Sequence, residues 1–191
     1  METAVKNIHE ELIKGCRQND RNAQIQVYKL YYKAMYNTAL RIVNHTAEAE
    51  DIMQESFLHA FSKIGEYRGD ASFGTWLKSI VVNKSVDAFR RAKNLIPIED
   101  VDTNVTDTNS DEDHLGVLYS RVEDIRKAIH LLPDTHRVIL SLHLLEGYDH
   151  EEISQILDIS NNLSRTRYSR ARQKLLEYLG KDQQSSAKRN S

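Results

Sequence analysis

The stretch Ser160–Leu179, SNNLSRTRYSRARQKLLEYL, decides how the rest of the chain is read. Ser160 is suited to cap a helix, because its hydroxyl can accept from the unpaired amides of a first turn. No Pro or Gly follows until Gly180, so one helix can run that far. At about 100° per residue, Ser164, Tyr168, Ala171, Leu175 and Leu179 share a stripe that must pack on something. Asn162, Thr166, Ser169, Arg170 and Gln173 fall opposite, flanked by Arg167 and Lys174 on one side and Arg165 and Arg172 on the other. Five cations and no carboxylate lie between Leu163 and Leu176. Such a face is either merely solvated or suited to a polyanion. Arg and Lys neutralise phosphates, while Arg, Asn, Gln, Ser and Thr can read base edges.

The residues just before it favour the polyanion. Asp149-His150-Glu151-Glu152 has an N-cap residue with a carboxylate at the third helical position, a variant of the capping box. A short helix follows with Ile153, Ile156 and Leu157 inward, and Asp158-Ile159 turns into Ser160. Two helices joined by a three-residue turn, the second long and cationic, predict a helix-turn-helix. Asp158 stands where this turn commonly carries Gly; Asp tolerates a left-handed backbone at modest cost.

Two Pro and seven Gly in 191 residues, with long helix-period runs, predict an all-α chain. The net charge of −2 is uninformative, but its distribution is not. Residues 1–91 carry +2, residues 92–120 carry −6 and residues 121–191 carry +2. Two mildly basic blocks are therefore split by an acidic segment, which predicts two helical domains, 1–91 and 121–180, joined by a flexible acidic linker over 92–120. A polar tail, 181–191, follows. The lone Cys16 rules out an intramolecular disulfide, fits a reducing cytoplasm and reads as a small, partly buried hydrophobe. No hydrophobic signal core or membrane-length apolar run is written, so a soluble cytoplasmic protein without membrane insertion is expected.

In the first block, a short helix is expected over Glu10–Cys16 and a longer one over Arg21–Val43. Ile25, Tyr28, Leu30, Tyr31, Met35, Ala39, Leu40 and Ile42 supply the apolar faces of the longer one. Its four tyrosines, Tyr28, Tyr31, Tyr32 and Tyr36, read as core and boundary residues. Thr46 can cap a helix from Ala47 to Ile64 that buries Met53, Phe57, Ala60 and Ile64. Its other side shows Asp51, Gln54, Glu55 and Leu58. Gly65–Asp70 is a loop by its Gly content, and Ser72 can cap a helix from Phe73 to Arg91. Trp76, Asn83 and Arg90 recur at seven-residue spacing on an edge stripe that could stack on and hydrogen-bond exposed bases, though a boundary Trp is the plainer account. In the second block Pro133 opens a helix that runs to Leu145 and stops at Gly147. The eight His are scattered; His143 and His150 lie on different helices and read as surface residues rather than metal ligands.

Taken in order, AEAEDIMQESF, the loop YRGDASF running into GTWLKSIVVNKSVDAFRR, the acidic segment, LPDTHRVILSLHLLEGYDHEEISQILDIS and SRTRYSRARQKL resemble a bacterial RNA polymerase sigma factor over nearly the whole chain. With two domains only, the chain resembles the sigma-70 family's extracytoplasmic-function (ECF) group. The resemblance implies a subunit that binds core RNA polymerase, through its β′ and β subunits, and directs it to promoter DNA at −10 and −35 elements. It makes 1–91 the region 2 domain and 121–180 the region 4 domain. It places core-polymerase binding on Asp51, Gln54, Glu55 and Leu58. It gives −10 reading and melting to Tyr67, Arg68, Phe73, Trp76, Asn83 and Arg90, since flipped bases need a fitted pocket and stacking. It puts −35 reading on Arg165, Thr166, Arg167, Ser169, Arg170, Gln173 and Lys174, with Arg165 toward an edge suited to phosphate. It also admits an anti-sigma factor, membrane-anchored in many relatives, as a partner. Many relatives carry Glu-Gly-Thr-Val where Asn161, Asn162, Leu163 and Ser164 stand. Ser164 weakens an inward position, and Leu163 projects where a phosphate-contacting Thr would sit.

Two other classes compete. A dimeric helix-turn-helix regulator would leave the first 91 residues without a role. An enzyme would need a Gly-rich phosphate loop, metal-ligand spacing or a nucleophile elbow, and none is written; no cofactor or metal is expected.

Overall fold

Capping residues set most helix boundaries in the computed structural model, which describes residues 2–93 and 122–189. The described residues form helices, turns and connecting segments, with no strand among them. The chain divides into two compact units, Met1–Arg90 and Arg91–Ser191. The expected acidic linker falls almost wholly outside the described residues. Among these residues no helix is long and apolar enough to cross a membrane.

The first unit holds α1 (Glu2–Arg17), α2 (Arg21–Val43), α3 (Thr46–Ser62), a 3-10 turn (Ile64–Glu66) and α4 (Phe73–Lys93). α1 starts well before the expected Glu10. The Asp20 carboxylate accepts from the Asn22 amide to open α2, and Asn44 closes that helix in the left-handed conformation. α3 is capped one residue earlier than Thr46, because the His45 Nδ1 accepts from the Glu48 amide at 3.3 Å. Ser72 does cap α4, its Oγ accepting from the Thr75 amide at 3.1 Å. Val27, Met35, Met53, Phe57, Leu77 and Val81 close a core over which Tyr28, Tyr31, Tyr32 and Tyr36 lie half-buried. Burying each such large apolar side chain contributes about 1.5–3 kcal/mol before the entropy of ordering is charged. Cys16 is fully buried here, and burial first, then the nearby Asp20 charge, pushes its thiol pKa up. Ile25 and Leu30, expected on apolar faces, are exposed instead. α2 turns Ala23 and Val27 inward in their place.

The second unit holds α5 (Val122–Leu131), α6 (Asp134–Leu140), which runs on as a π-helical stretch over Ser141–Leu145, α7 (His150–Leu157) and α8 (Asn161–Arg189). Pro133 caps α6 rather than occupying its first helical position. Arg137 is only 2% exposed and pairs with Asp134 one turn back. Gly147 sits at φ +81°, a backbone that an L side chain adopts only with strain, and ends the stretch as expected. α8 passes through Gly180 into 181–189, where a polar tail was expected. One Gly costs a helix only about 1 kcal/mol, and Lys, Gln and Ala beyond it are good helix formers.

Candidate nucleic-acid and polymerase surfaces

The turn between α7 and α8 forms as its residues dictate. Asp149 accepts from the Glu151 and Glu152 amides at 2.8 Å each, and Glu152 returns a bond from the Asp149 amide at 2.9 Å. Asp158 takes the left-handed conformation at φ 53°, ψ 52°. The Ser160 Oγ accepts from the Leu163 amide at 3.1 Å and opens α8. Ser164, Ala171, Leu175 and Leu179 are buried and Tyr168 half-buried, which is the expected inward stripe. The opposite face shows Arg165, Thr166, Ser169 and Gln173 to solvent, with Arg167 and Lys174 half-exposed beside it. Arg165 is held by a bond from its Nε to the Asn161 Oδ1 at 3.0 Å, and Lys174 pairs with Glu177 at 2.9 Å. Arg170, placed on the fully exposed face by the wheel, is half-buried. Its Nε is out of solvent with no hydrogen-bond partner.

Ser164 is the polar member of the inward stripe. It is fully buried, and its hydroxyl lies 3.0 Å from the His150 Nδ1. The two histidines read as surface residues are stacked, ring centroids 4.8 Å apart and 11° from parallel, and Tyr168 meets both edge-on. The His143 Nδ1 donates to the Tyr148 carbonyl at 2.8 Å. Their pairing was illegible in the sequence because it needs the π-helical stretch, α7 and α8 to converge. Around His150 stand His143, Tyr168 and Ser164, with Arg165 on α8 and Asp149 at the cap. Burial chiefly, then His143 and Arg165, lowers its pKa below the ordinary histidine value, against a smaller opposing pull from Asp149. A histidine with a lowered folded pKa binds protons less readily than in the unfolded chain. Its contribution is therefore whole above about pH 6.5 and is lost as pH falls below that. Thermal melts from about pH 7.5 down to about pH 5 should show falling stability, and His150→Gln should flatten the fall. Tyr148 stays protonated throughout, its pKa pushed up to about 12 by burial and by Glu146 and Glu152.

In the first unit, the residues expected to read single-stranded DNA gather at the start of α4. Tyr67 meets Phe73 edge-on at 5.6 Å and Trp76 at 5.4 Å, and Phe73 lies 5.6 Å from Trp76. Tyr67 and Trp76 are half-buried and Arg68 is exposed. Phe73 is only 4% exposed, so it floors this group rather than presenting a ring to solvent. Further along α4, Asn83 is exposed and Arg90 half-exposed, with Asp87 3.9 Å from Arg90. On α3, Asp51, Gln54, Glu55 and Leu58 are all exposed on one face, Leu58 at 71%. Glu55 is bridged to Lys84 of α4 at 3.1 Å. No cluster of His, Cys, Asp or Glu suited to a metal ion occurs among the described residues.

The model of sigma-70 region 2 matches residues 27–95, and that of sigma-70 region 4 matches residues 122–175. The ECF RNA polymerase sigma factor SigM of Mycobacterium tuberculosis is 30% identical over 173 residues, covering 89% of this chain and 84% of that protein. The chain belongs to the ECF group of the sigma-70 family. This sigma factor is also 28% identical to the ECF sigma factor SigW of Bacillus subtilis, over 87% of its own length and 94% of that relative. Its fold is similar to those of the sigma factor RpoE from Bartonella quintana and of CnrH. For RpoE the TM-score is 0.52 at 22% identity, over 81% of this chain and 95% of that one. For CnrH it is 0.53 at 21%, over 92% and 99%. As a sigma factor, the protein directs promoter-specific initiation of transcription by core RNA polymerase. Region 4 thus takes in α7, the turn and the cationic part of α8, while region 2 takes in α3 and the aromatic group of α4.

Proposed function

We propose that residues 1–91 bind core RNA polymerase and read and melt the −10 element, that residues 121–180 read the −35 element, and that 92–120 join them. The observation that carries this is the α8 surface, where cations and amides collect opposite a buried stripe with no carboxylate between Leu163 and Leu176. Thr166, Ser169, Arg170 and Gln173 face the base edges of a major groove, while Arg165, Arg167 and Lys174 serve phosphates at its rims. Leu163 is half-buried, so the phosphate contact that a Thr would give there is lost. On α4, Trp76 and Tyr67 stack on bases freed from the duplex, with Arg68, Asn83 and Arg90 as polar and cationic partners and Phe73 as their support.

The exposed face of Asp51, Gln54, Glu55 and Leu58 docks on core polymerase, an apolar centre ringed by polar groups. The structures of RpoE and CnrH were obtained in complexes, the first with the anti-sigma factor NepR and the second with the cytosolic domain of CnrY; we infer a comparable restraining partner for this chain. The role requires no catalysis of its own and places the protein in the cytoplasm with the polymerase. Co-elution with bacterial core RNA polymerase on a sizing column tests the assignment. Stoichiometric co-elution is expected, and Asp51→Arg should weaken it about tenfold through charge reversal within the face. A chain that eluted alone yet shifted duplex DNA tightly would instead be a free-standing helix-turn-helix regulator.

A further inference from the structure

We propose that α1 is part of the −10 reading device, with Arg17 as the positioning residue that fixes the reading loop. The region 2 match begins at residue 27, so α1 lies outside it. Yet α1 touches the near end of the loop between the 3-10 turn and α4 directly, and is linked to its far end through Tyr31 of α2. At the near end, the Arg17 Nη2 donates to the Tyr67 carbonyl at 2.6 Å, across fifty residues of sequence. At the far end, the His9 Nδ1 lies 2.9 Å from the Tyr31 hydroxyl, and the two rings meet edge-on. Tyr31 in turn meets Phe73 at 5.6 Å. A Cβ at Gly74 would stand 2.9 Å from the Tyr31 ring, so that ring is seated directly on the first turn of α4.

Between these anchors the loop has little to shape it. Arg68, Gly69, Asp70, Ala71 and Ser72 are exposed, and Gly69 takes φ +86°. The Tyr67 hydroxyl donates to the Ala71 carbonyl at 2.7 Å and closes the loop on itself. Tyr67 is otherwise fixed by its amide on the Ile64 carbonyl at 3.3 Å, by its ring on Phe73 and Trp76, and by the charged bond from Arg17 to its carbonyl. A bond from a cationic donor is stronger than a neutral one, and it holds the backbone rather than a side chain. Arg17 touches no base in this account. It presents Tyr67 and Arg68 in the geometry that a flipped base meets, which spares the loop an ordering cost at binding.

The inference rests on the −10 site proposed above, and the experiment separates the two. Holoenzyme reconstituted with bacterial core RNA polymerase transcribes a library of duplexes with a randomised upstream segment, and the transcripts are sequenced. Arg17→Ala should flatten base preference in the −10 segment and lower yield from preferred sequences about two- to tenfold, the effect of one lost hydrogen bond. Core affinity should not change, and the thermal midpoint should fall by no more than a few degrees, because Arg17 is exposed and gives the fold one hydrogen bond. Arg17→Lys keeps a cationic donor and should restore most of the preference. Unchanged preference in Arg17→Ala beside a flattened one in Trp76→Ala overturns the role of Arg17 and leaves the −10 site standing. Unchanged preference in both overturns the −10 site and this inference with it. If Arg17→Ala lowered core affinity, or lowered the thermal midpoint by more than about 10 °C, beyond what one hydrogen bond accounts for, Arg17 would be a general structural residue and the inference would fall.

Discussion

Trp76→Ala is expected to slow promoter opening by roughly tenfold to a hundredfold, as losing one base–aromatic stack of about 1–3 kcal/mol implies. The indole is half-buried at the start of α4, held by Tyr67 and floored by Phe73. A ring so fixed loses little freedom when a base stacks on it, so most of the stacking energy survives as binding. Melting exchanges stacking within the duplex for stacking on the protein, and removing the protein's platform leaves the exchange uncompensated. The readout is the rate at which thymines near the −10 segment become reactive to permanganate. Assembly with core polymerase should be unchanged, because the proposed docking face lies on α3 and not on the Trp76 surface. Trp76→Phe keeps a ring and the packing and should recover much of the rate. Ordinary opening by the Ala variant would remove Trp76 from the site.

The second large effect is expected at Arg170. Arg170→Ala should reduce initiation from −35-dependent promoters by about 1–3 kcal/mol, the worth of one good bidentate base contact. Its side chain is half-buried and its Nε is out of solvent, so the guanidinium is offered from a restricted set of conformations. A restrained guanidinium discriminates better than a freely swinging one. Arg170→Lys should not rescue, since an ammonium has no planar fork. Run-off transcription from a promoter with an intact and a scrambled −35 element measures this. If the Ala variant kept the full difference between the two templates, Arg170 would be a packing residue only.

The helix-turn-helix was legible because each of its parts is a local rule. The capping box at Asp149–Glu152, the left-handed Asp158, the Ser160 cap and the inward stripe of α8 are all settled within a few residues of sequence. The exposed face of α3 was legible for the same reason, since a helix places Asp51, Gln54, Glu55 and Leu58 together whatever surrounds it. Misreadings came where two choices were locally equal. His45 and Thr46 can each cap α3, and the chain takes the imidazole. Ile25 and Val27 are equally apolar, and only the approach of neighbouring helices put Val27 inside and Ile25 out.

The amino-acid sequence by itself determined the all-α class, the helix-turn-helix with its caps, the sigma-70 resemblance and the cationic face of α8, because periodicity, capping chemistry and charge act over a few residues. Tertiary structure alone decided that Ser164 is satisfied by His150, that His143 and His150 stack against Tyr168, and that Arg17 of α1 holds the loop at Tyr67. These contacts join residues 14 to 50 positions apart or depend on which helix faces which. The energies that select them arise only once side chains from several helices share one desolvated space.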